Sequence, residues 1–319
     1  MSFAVEWVTD ATRFAELSGE WDELMAGDAR PFDLHCWHMA WWQAFGDGCE
    51  LAICTVRDGD ALAGVFPLQR SGRDLEALAN SHSGVFRPLA SSPEAMDALI
   101  GAALRGTAKL TVPELREGDQ GAEALAASAR HAAMLQLREA GSTLSIVDTS
   151  GDFEAWGESN SSWKKKLRRS WRKMAKEYEA VFDLTRSPVD LEAELAEGFA
   201  VEASGWKGEA GTAIVSRPDT ELFYRRIAAS FHARGELRLS RIALNGEPAA
   251  FSYCLEHRDA LRQSAGHAPF AQDDLSRNLC RIEHGSSFVV GGREAEAHRR
   301  GIRASQASRD RIDERCGAN

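Results

Sequence analysis

The sequence predicts a mixed α/β (α+β) fold made of two tandem units, each a mostly antiparallel sheet flanked by helices. Helical and strand-like patterns alternate along its 319 residues. The dipeptides Asp58-Gly59 and Asn245-Gly246 each separate two apolar runs, which is typical of β-hairpins. The segment from Glu50 aligns without gaps with the segment from Glu236, since both begin Glu-Leu and reach their turn at the same distance. This internal match predicts two copies of one unit.

In the first half, the residue patterns predict a strand, two helices and a hairpin, followed by a helix and a buried strand. The second helix carries Trp37, Trp41, Trp42 and Phe45 and ends at Gly46, and aromatic residues at this spacing favour a core role over a ligand site. The other predicted elements are the strand Phe3–Val8, the helix Thr12–Met25, the strands Glu50–Val56 and Ala61–Gln69, the helix Ala95–Leu104 and the strand Leu144–Val147.

The second half predicts the same kinds of element, and Gly235 is the expected stop of its second helix. We place the first unit at residues 1–150, the second at 151–290, and a tail at 291–319. The tail has only Ile302 and Ile312 as large aliphatic residues, so we expect it to be weakly structured or disordered, or to be read from a shifted frame. The predicted elements are helices at Phe199–Trp206 and Leu222–Ala233, and strands at Glu236–Leu244, Pro248–Glu256 and Ala260–His267.

Composition excludes several classes of protein. The net charge of −10 disfavours general binding of DNA, and the six cysteines form no Cys-x-x-Cys pair that would indicate zinc or a dithiol redox site. No pair of histidines has metal-ligand spacing on a helix, so we expect no metal. The chain shows no export signal and no apolar run long enough to span a membrane. We therefore expect a cytoplasmic protein with reduced cysteines.

The most distinctive segment is a basic amphipathic helix predicted at residues 162–178. Trp163, Leu167, Trp171, Met174 and Tyr178 share one side at helical spacing, and eight Lys and Arg residues occupy the other. Three interpretations stay open. The helix covers the core with a solvated basic face, or binds phosphates of a cofactor or polyanionic substrate, or contacts an anionic membrane.

Several segments resemble an acetyltransferase-like family that is associated with cellulose biosynthesis. These segments are PFDLHCWHMAWWQAFG and GDALAGVFPLQR in the first half, then SSWKKKLRRSWRKMAKE, GWKG and ELFYRRIAASFHARGELRLSRIALNGEPAAFSYCLEH. The family belongs to the GNAT superfamily, is distantly similar to Fem-type transferases, and resembles two GNAT units in tandem. The resemblance covers roughly residues 5–270.

The resemblance implies transfer of an acetyl or other acyl group from acyl-coenzyme A to an amine acceptor by the second unit, with a non-catalytic first unit. In GNAT folds the pantetheine arm of the cofactor pairs with an exposed strand, and its pyrophosphate binds backbone N–H groups at the start of the next helix. Here the strand is Ala260–His267, and the loop after it lacks the glycines usual in the superfamily. The implied cofactor-binding residues are Gln263, Ala265, His267, Asp274, Ser276, Arg277 and Asn278.

Direct attack of an amine on a thioester needs a base for the ammonium proton and is helped by an acid for the departing thiolate. Glu202 is the candidate base and Tyr253 the candidate acid. Trp206 and His257 are candidate substrate-binding residues. Because His257 and His267 end adjacent predicted strands, we also expect them to face each other.

Three functions remain open from the sequence. The first is the acyl-coenzyme A transferase, acting on a small-molecule or sugar amine in polysaccharide or envelope biosynthesis. The second is a Fem-like aminoacyl transferase that uses charged tRNA, which the basic helix would hold. The third is a non-catalytic, GNAT-derived binding or assembly protein.

Overall fold

The structure is a computed structural model whose described residues form two compact units. The first unit takes in residues 3–24 and 48–139 together with the last strand, and the second takes in residues 30–47 and the described part of 158–267. The predicted strand Leu144–Val147 and the tail beyond residue 291 lie outside the described residues. The structure describes residues 3–24, 30–139, 158–185, 187–257, 260–267 and 286–291.

The first unit contains two sheets whose strand orders are β1-β3-β4-β7 and β2-β5-β6-β8-β14-β9. Neighbouring strands are antiparallel except for β6 and β8, which are parallel. Its strands are β1 (Ala4–Val8), β2 (Glu50–Leu51), β3 (Ile53–Asp58), β4 (Ala61–Phe66), β5 (Leu68–Ser71), β6 (Asp74–Ala77), β7 (Leu89–Ala90), β8 (Lys109–Leu115), β9 (Leu135–Glu139) and β14 (Ser286–Gly291).

Strand β14 enters the first unit from a distant part of the chain. It pairs with β8 on one side, where Val289 lies opposite Thr111, and with β9 on the other, where Val289 lies opposite Leu137. Strand β14 therefore joins β8 and β9 into one sheet of the first unit.

Four helices pack in the first unit around a continuous apolar core. They are α1 (Ala11–Glu16), α2 (Ser18–Leu24), α4 (Pro93–Leu104) and α5 (Gln120–His131). Leu99 and Ile100 of α4 and Leu125 of α5 are fully buried against β3, β4 and β8. Cys54 lies in this core, and burial raises the pKa of its thiol to about 12, so the thiol is chemically inert in the folded unit.

The second unit has one antiparallel sheet in the order β10-β11-β12-β13. Its strands are β10 (Ala180–Thr185), β11 (Leu237–Leu244), β12 (Glu247–His257) and β13 (Ala260–His267). Its helices are α3 (His35–Phe45), α6 (Ser161–Glu177), α7 (Leu191–Ala203), the short α8 (Trp206–Glu209) and α9 (Pro218–Ala233). None of the helices in the described part of the chain combines the length and apolar character needed to cross a membrane.

Strand β12 organises the core of the second unit. Its residues alternate between buried and partly buried, so that Phe251, Tyr253 and Leu255 share the buried face. Helix α7 packs closely on this face, because Gly198 lies where a side chain would come within 2.4 Å of the Phe251 ring. The close contact between helix α7 and strand β12 therefore requires a glycine at position 198.

Helix α3 groups with the second unit although it precedes most of the first unit in sequence. The Trp37 ring lies 5.2 Å from the Phe223 ring of α9 in an edge-to-face arrangement, and the Phe45 ring lies 5.4 Å from the same ring. Trp37 and Trp41 are both buried. The prediction that these aromatic residues form core is confirmed, and the core they form is that of the second unit.

Both predicted hairpins are present. In the first, Asp58 ends β3 and pairs with Ala61, so the two turn residues are Gly59, with a φ of 61°, and Asp60. In the second, Asn245 and Gly246 both have positive φ, at 53° and 83°. Helix α7 begins at Leu191 rather than at the predicted Phe199. Its N-cap is Asp190, whose side chain accepts a hydrogen bond from the backbone N–H of Ala193 at 3.0 Å and so fixes the earlier start. The predicted helix Thr12–Met25 is divided into α1 and α2.

Candidate functional site

The candidate site residues that the structure describes all lie in the second unit. Glu202 ends α7, Trp206 begins α8, and Tyr253 and His257 lie on β12. Gln263, Ala265 and His267 lie on β13. Asp274, Ser276, Arg277 and Asn278 lie outside the described residues.

Strand β13 forms one edge of the sheet, and no strand of the described residues pairs with its outer side. Its pairing with β12 is interrupted by a bulge. Tyr253 lies opposite Ala265 and Cys254 lies opposite Gln263, which leaves Ser264 between them without a partner on β12. A bulge at a sheet edge bends the strand and re-aims its backbone groups. The middle of β13 therefore offers backbone N–H and C=O groups to a molecule lying along the edge.

Tyr253 is fully buried under α9. Its hydroxyl donates a hydrogen bond to the backbone carbonyl of Tyr224 at 3.2 Å, and the rings of the two tyrosines lie 5.7 Å apart. Burial raises the pKa of the Tyr253 phenol well above its usual range, and the nearby Tyr224 and Cys36 raise it further. The phenol is therefore neutral and its proton is engaged, which favours a structural role for Tyr253 in this conformation.

Glu202 is buried with both of its carboxylate oxygens occupied. Oε1 accepts a hydrogen bond from Lys207 Nζ at 2.8 Å, and Oε2 accepts one from the backbone N–H of Ile214 at 2.8 Å. The carboxylate thus ties the end of α7 to both sides of the connection that runs through α8 to α9. This arrangement makes Glu202 a residue that positions the connection.

The connection itself holds Trp206 at the surface. The Trp206 side chain is about half exposed, at 52%. Gly208 allows the tight turn beneath it, because a side chain at this position would lie 1.9 Å from the carbonyl oxygen of Ala203. The GWKG motif therefore builds a compact loop that presents an indole ring to solvent.

His257 forms a pair with Glu236, a residue that the sequence analysis did not select. His257 Nδ1 donates a hydrogen bond to Glu236 Oε1 at 3.0 Å, and Glu236 also accepts one from Arg234. His257 Nε2 is buried and makes no hydrogen bond with the described residues. The β11–β12 hairpin places the start of β11 beside the end of β12. This pairing alone predicts that Glu236 lies near His257.

The expectation that His257 and His267 face each other is wrong. Strands β12 and β13 are antiparallel, so His257 pairs with Ala260 at one end of β13 and His267 pairs with Phe251 at the other. The structure brings Tyr253 and Ala265 together across the sheet, and Glu202 and Trp206 together in the α7–α8 connection.

In the part of the chain that is described, no His, Cys, Asp and Glu side chains form a group of three or more able to hold a metal ion.

Residues 161–264 match a family model described as an acetyltransferase (GNAT) domain. No curated protein sequence matches the chain at a significant level. The matched region runs from the start of α6 into β13 and so contains the whole sheet order of the second unit.

Similar solved structures have low sequence identity. One is the C-terminal domain of a protein from Agrobacterium fabrum that is provisionally named a lysylphosphatidylglycerol synthetase, with 15% identity, a TM-score of 0.42, and coverage of 80% of this chain and 70% of that one. A tandem GNAT protein from the clavulanic acid biosynthesis pathway has 12% identity, a TM-score of 0.40 and coverage of 86% and 82%. A conserved protein of unknown function from Bacteroides thetaiotaomicron has 10% identity, a TM-score of 0.44 and coverage of 90% and 99%. At these TM-scores they add nothing to what the family match and the strand order indicate.

We predict that the substitution Glu202→Ala lowers the free energy of unfolding by about 3 kcal/mol, because it leaves Lys207 and the Ile214 N–H without their buried acceptor. Urea unfolding followed by circular dichroism measures this change. The matched control is Glu209→Ala in the same connection, whose side chain is exposed, and its effect should stay within about 0.5 kcal/mol. Equal effects of the two substitutions would contradict the positioning role.

We predict that Tyr253→Phe changes how stability depends on pH above about pH 10. In the unfolded chain a tyrosine ionises near pH 10, whereas burial keeps the Tyr253 phenol neutral in the folded unit. The unfolded state therefore loses protons first, and stability falls as the pH rises. The substitution should cost about 1 kcal/mol at pH 7 and should reduce the fall between pH 9 and 11. Unchanged alkaline behaviour in parallel urea titrations would show that Tyr253 is not held neutral.

Proposed function

We propose that the protein is an N-acyltransferase that moves an acyl group from acyl-coenzyme A to an amine. The proposal is carried by one observation, the edge strand β13 with its bulge at Ser264, in a sheet that falls within the GNAT family match. In the GNAT folds that this sequence resembles, the corresponding strand pairs with the pantetheine arm of the cofactor. The free edge of β13 supplies the backbone groups that such a pairing needs.

The chemistry is a direct transfer. The amine nitrogen attacks the thioester carbonyl, the new N–C bond forms, and the C–S bond breaks. The ammonium proton must leave the nitrogen and the thiolate must gain a proton. The backbone N–H groups of β13 would hold acyl-coenzyme A in line for the attack. The acyl group would lie near the bulge, where the strand bends.

The acceptor would enter beside the α7–α9 connection. Trp206 offers a flat apolar surface there for a small-molecule or sugar amine, and Glu202 keeps the connection in place through Lys207 and Ile214. His257 stays a proposed substrate-binding residue at the end of β12, where Glu236 holds its Nδ1. A role in polysaccharide or envelope biosynthesis and a cytoplasmic location are further parts of this proposal.

We predict that the full chain binds acetyl-coenzyme A in a one-to-one complex, measured by isothermal titration calorimetry at low and moderate salt. Ser264→Pro should weaken this binding at least tenfold, because proline removes the backbone N–H at the bulge without breaking a pair with β12. Ser264→Ala keeps that N–H and is the matched control, with unchanged affinity expected.

Thermal melting of each variant shows that it is folded. The absence of acetyl-coenzyme A binding by the folded parent chain would overturn the acyl-coenzyme A proposal, whereas equal binding by both Ser264 variants would overturn the role of the β13 edge.

A further inference from the structure

Helix α6 is amphipathic, yet the second unit only partly buries its apolar side, since Trp163, Leu167 and Met174 are half-buried and Trp171 is exposed. Among Trp163, Leu167, Trp171 and Met174, none is buried, and the Trp171 side chain is 40% exposed. A surface helix of a globular protein normally turns its apolar side into the core. The interpretation that α6 covers the core is therefore not supported by its burial.

The exposed apolar surface continues from the helix into the next strand. Two residues separate α6 from β10, where Val181, Phe182 and Leu184 are 53%, 58% and 45% exposed. Phe182 and Leu184 lie on the same face of β10. Five of the large apolar side chains that are exposed in the described residues fall between Trp171 and Leu184, so exposed apolar residues are concentrated in this short stretch of the chain.

The junction between helix and strand is fixed in place. The Glu179 N–H donates to Asn245 Oδ1 at 2.8 Å, and the Asn245 N–H donates to the Glu179 carbonyl at 2.9 Å. These two hydrogen bonds fasten the end of α6 to the turn of the β11–β12 hairpin. The apolar side chains on both sides of the junction are thus held by the sheet of the second unit.

The same helix concentrates positive charge. It carries eight Lys and Arg residues and one acid, Glu177, within a chain of net charge −10. Six of these cations form no ion pair or hydrogen bond with the described residues. They are Lys165, Lys166, Arg169, Arg172, Lys173 and Lys176.

Charge and apolar surface together point to one kind of partner. A negatively charged bilayer would repel the acidic remainder of the chain and attract α6, which fixes a single orientation. Tryptophan and tyrosine side chains favour the headgroup region, and exposed aliphatic residues gain by contact with acyl chains. RNA phosphates would use the cations but would leave Phe182 and Leu184 in water.

We propose that helix α6 and strand β10 bind the surface of a membrane rich in anionic phospholipid. The helix lies in the plane of the interface, with its cations at the phosphates and Trp171 and Phe182 inserted among the upper acyl-chain carbons. This inference does not depend on the acyltransferase proposal, since it uses none of the residues at β13 or in the α7–α9 connection.

Vesicle binding by the full chain tests the proposal. Vesicles of phosphatidylcholine with 30% phosphatidylglycerol are compared with vesicles of phosphatidylcholine alone, by co-sedimentation at 50 and 300 mM salt. We expect at least tenfold stronger partitioning to the anionic vesicles, and a clear loss at the higher salt. Absence of binding to anionic vesicles at 50 mM salt by a folded protein would overturn the proposal, as would equal binding to both kinds of vesicle.

Three variants separate the contributions to binding. Arg169→Ala/Arg172→Ala/Lys173→Ala should reduce partitioning at least tenfold through charge, and Trp171→Ala/Phe182→Ala should do so through apolar contact. Trp206→Ala removes an equally exposed tryptophan outside this surface and should leave partitioning unchanged. All of these side chains are exposed, so thermal melting should show that each variant folds.

Two other partners are distinguishable in the same samples. Binding of transfer RNA that persists while vesicle binding is absent would assign the surface to RNA and overturn the membrane proposal. Self-association that Trp171→Ala/Phe182→Ala abolishes, again without vesicle binding, would make the surface an interface between copies of this chain.

Discussion

The hydrogen-bonded pairing of β11, β12 and β13 is the constraint on which the second unit depends. Because the turn at Asn245 and Gly246 fixes the β11–β12 register, Phe251, Tyr253 and Leu255 all face inward toward α7 and α9. The shift in register between β12 and β13 then leaves Ser264 unpaired at the sheet edge. A shift of one residue in the β11–β12 register would move the buried side chains of β12 to the opposite face of the sheet.

Much of this arrangement is predictable from local sequence. Each hairpin turn contains a glycine with positive φ, and the alternation along β12 is regular, so β11, β12 and the mixed antiparallel fold follow from patterns of a few residues. Helix α6 is likewise predictable from its spacing. Its surroundings are not, because the same apolar spacing suits a protein core and a membrane surface equally well.

The remaining features depend on contacts between distant parts of the chain. The aromatic residues of α3 predict a core, but they do not indicate to which unit that core belongs. Strand β14 pairs with β9 and β8, which lie about 150 and about 175 residues earlier in the sequence. Glu202 was selected from the sequence as a base, yet its two hydrogen bonds arise from a loop whose path no local pattern encodes. Tyr253 shows the same limit, since alternation predicts its burial but not that the Tyr224 carbonyl accepts its hydrogen bond.

Hydrogen exchange of the backbone amides, measured by mass spectrometry with and without acetyl-coenzyme A, tests most directly the claim that β13 is a cofactor-binding edge. Residues 260–267 should exchange at least several-fold more slowly in the presence of the cofactor, because amides on the free edge gain hydrogen-bond partners. Strand β10 forms the opposite edge of the same sheet and is the internal control, with no change expected. Protection of both edges to the same extent, or no protection of β13 at saturating cofactor, would contradict the account.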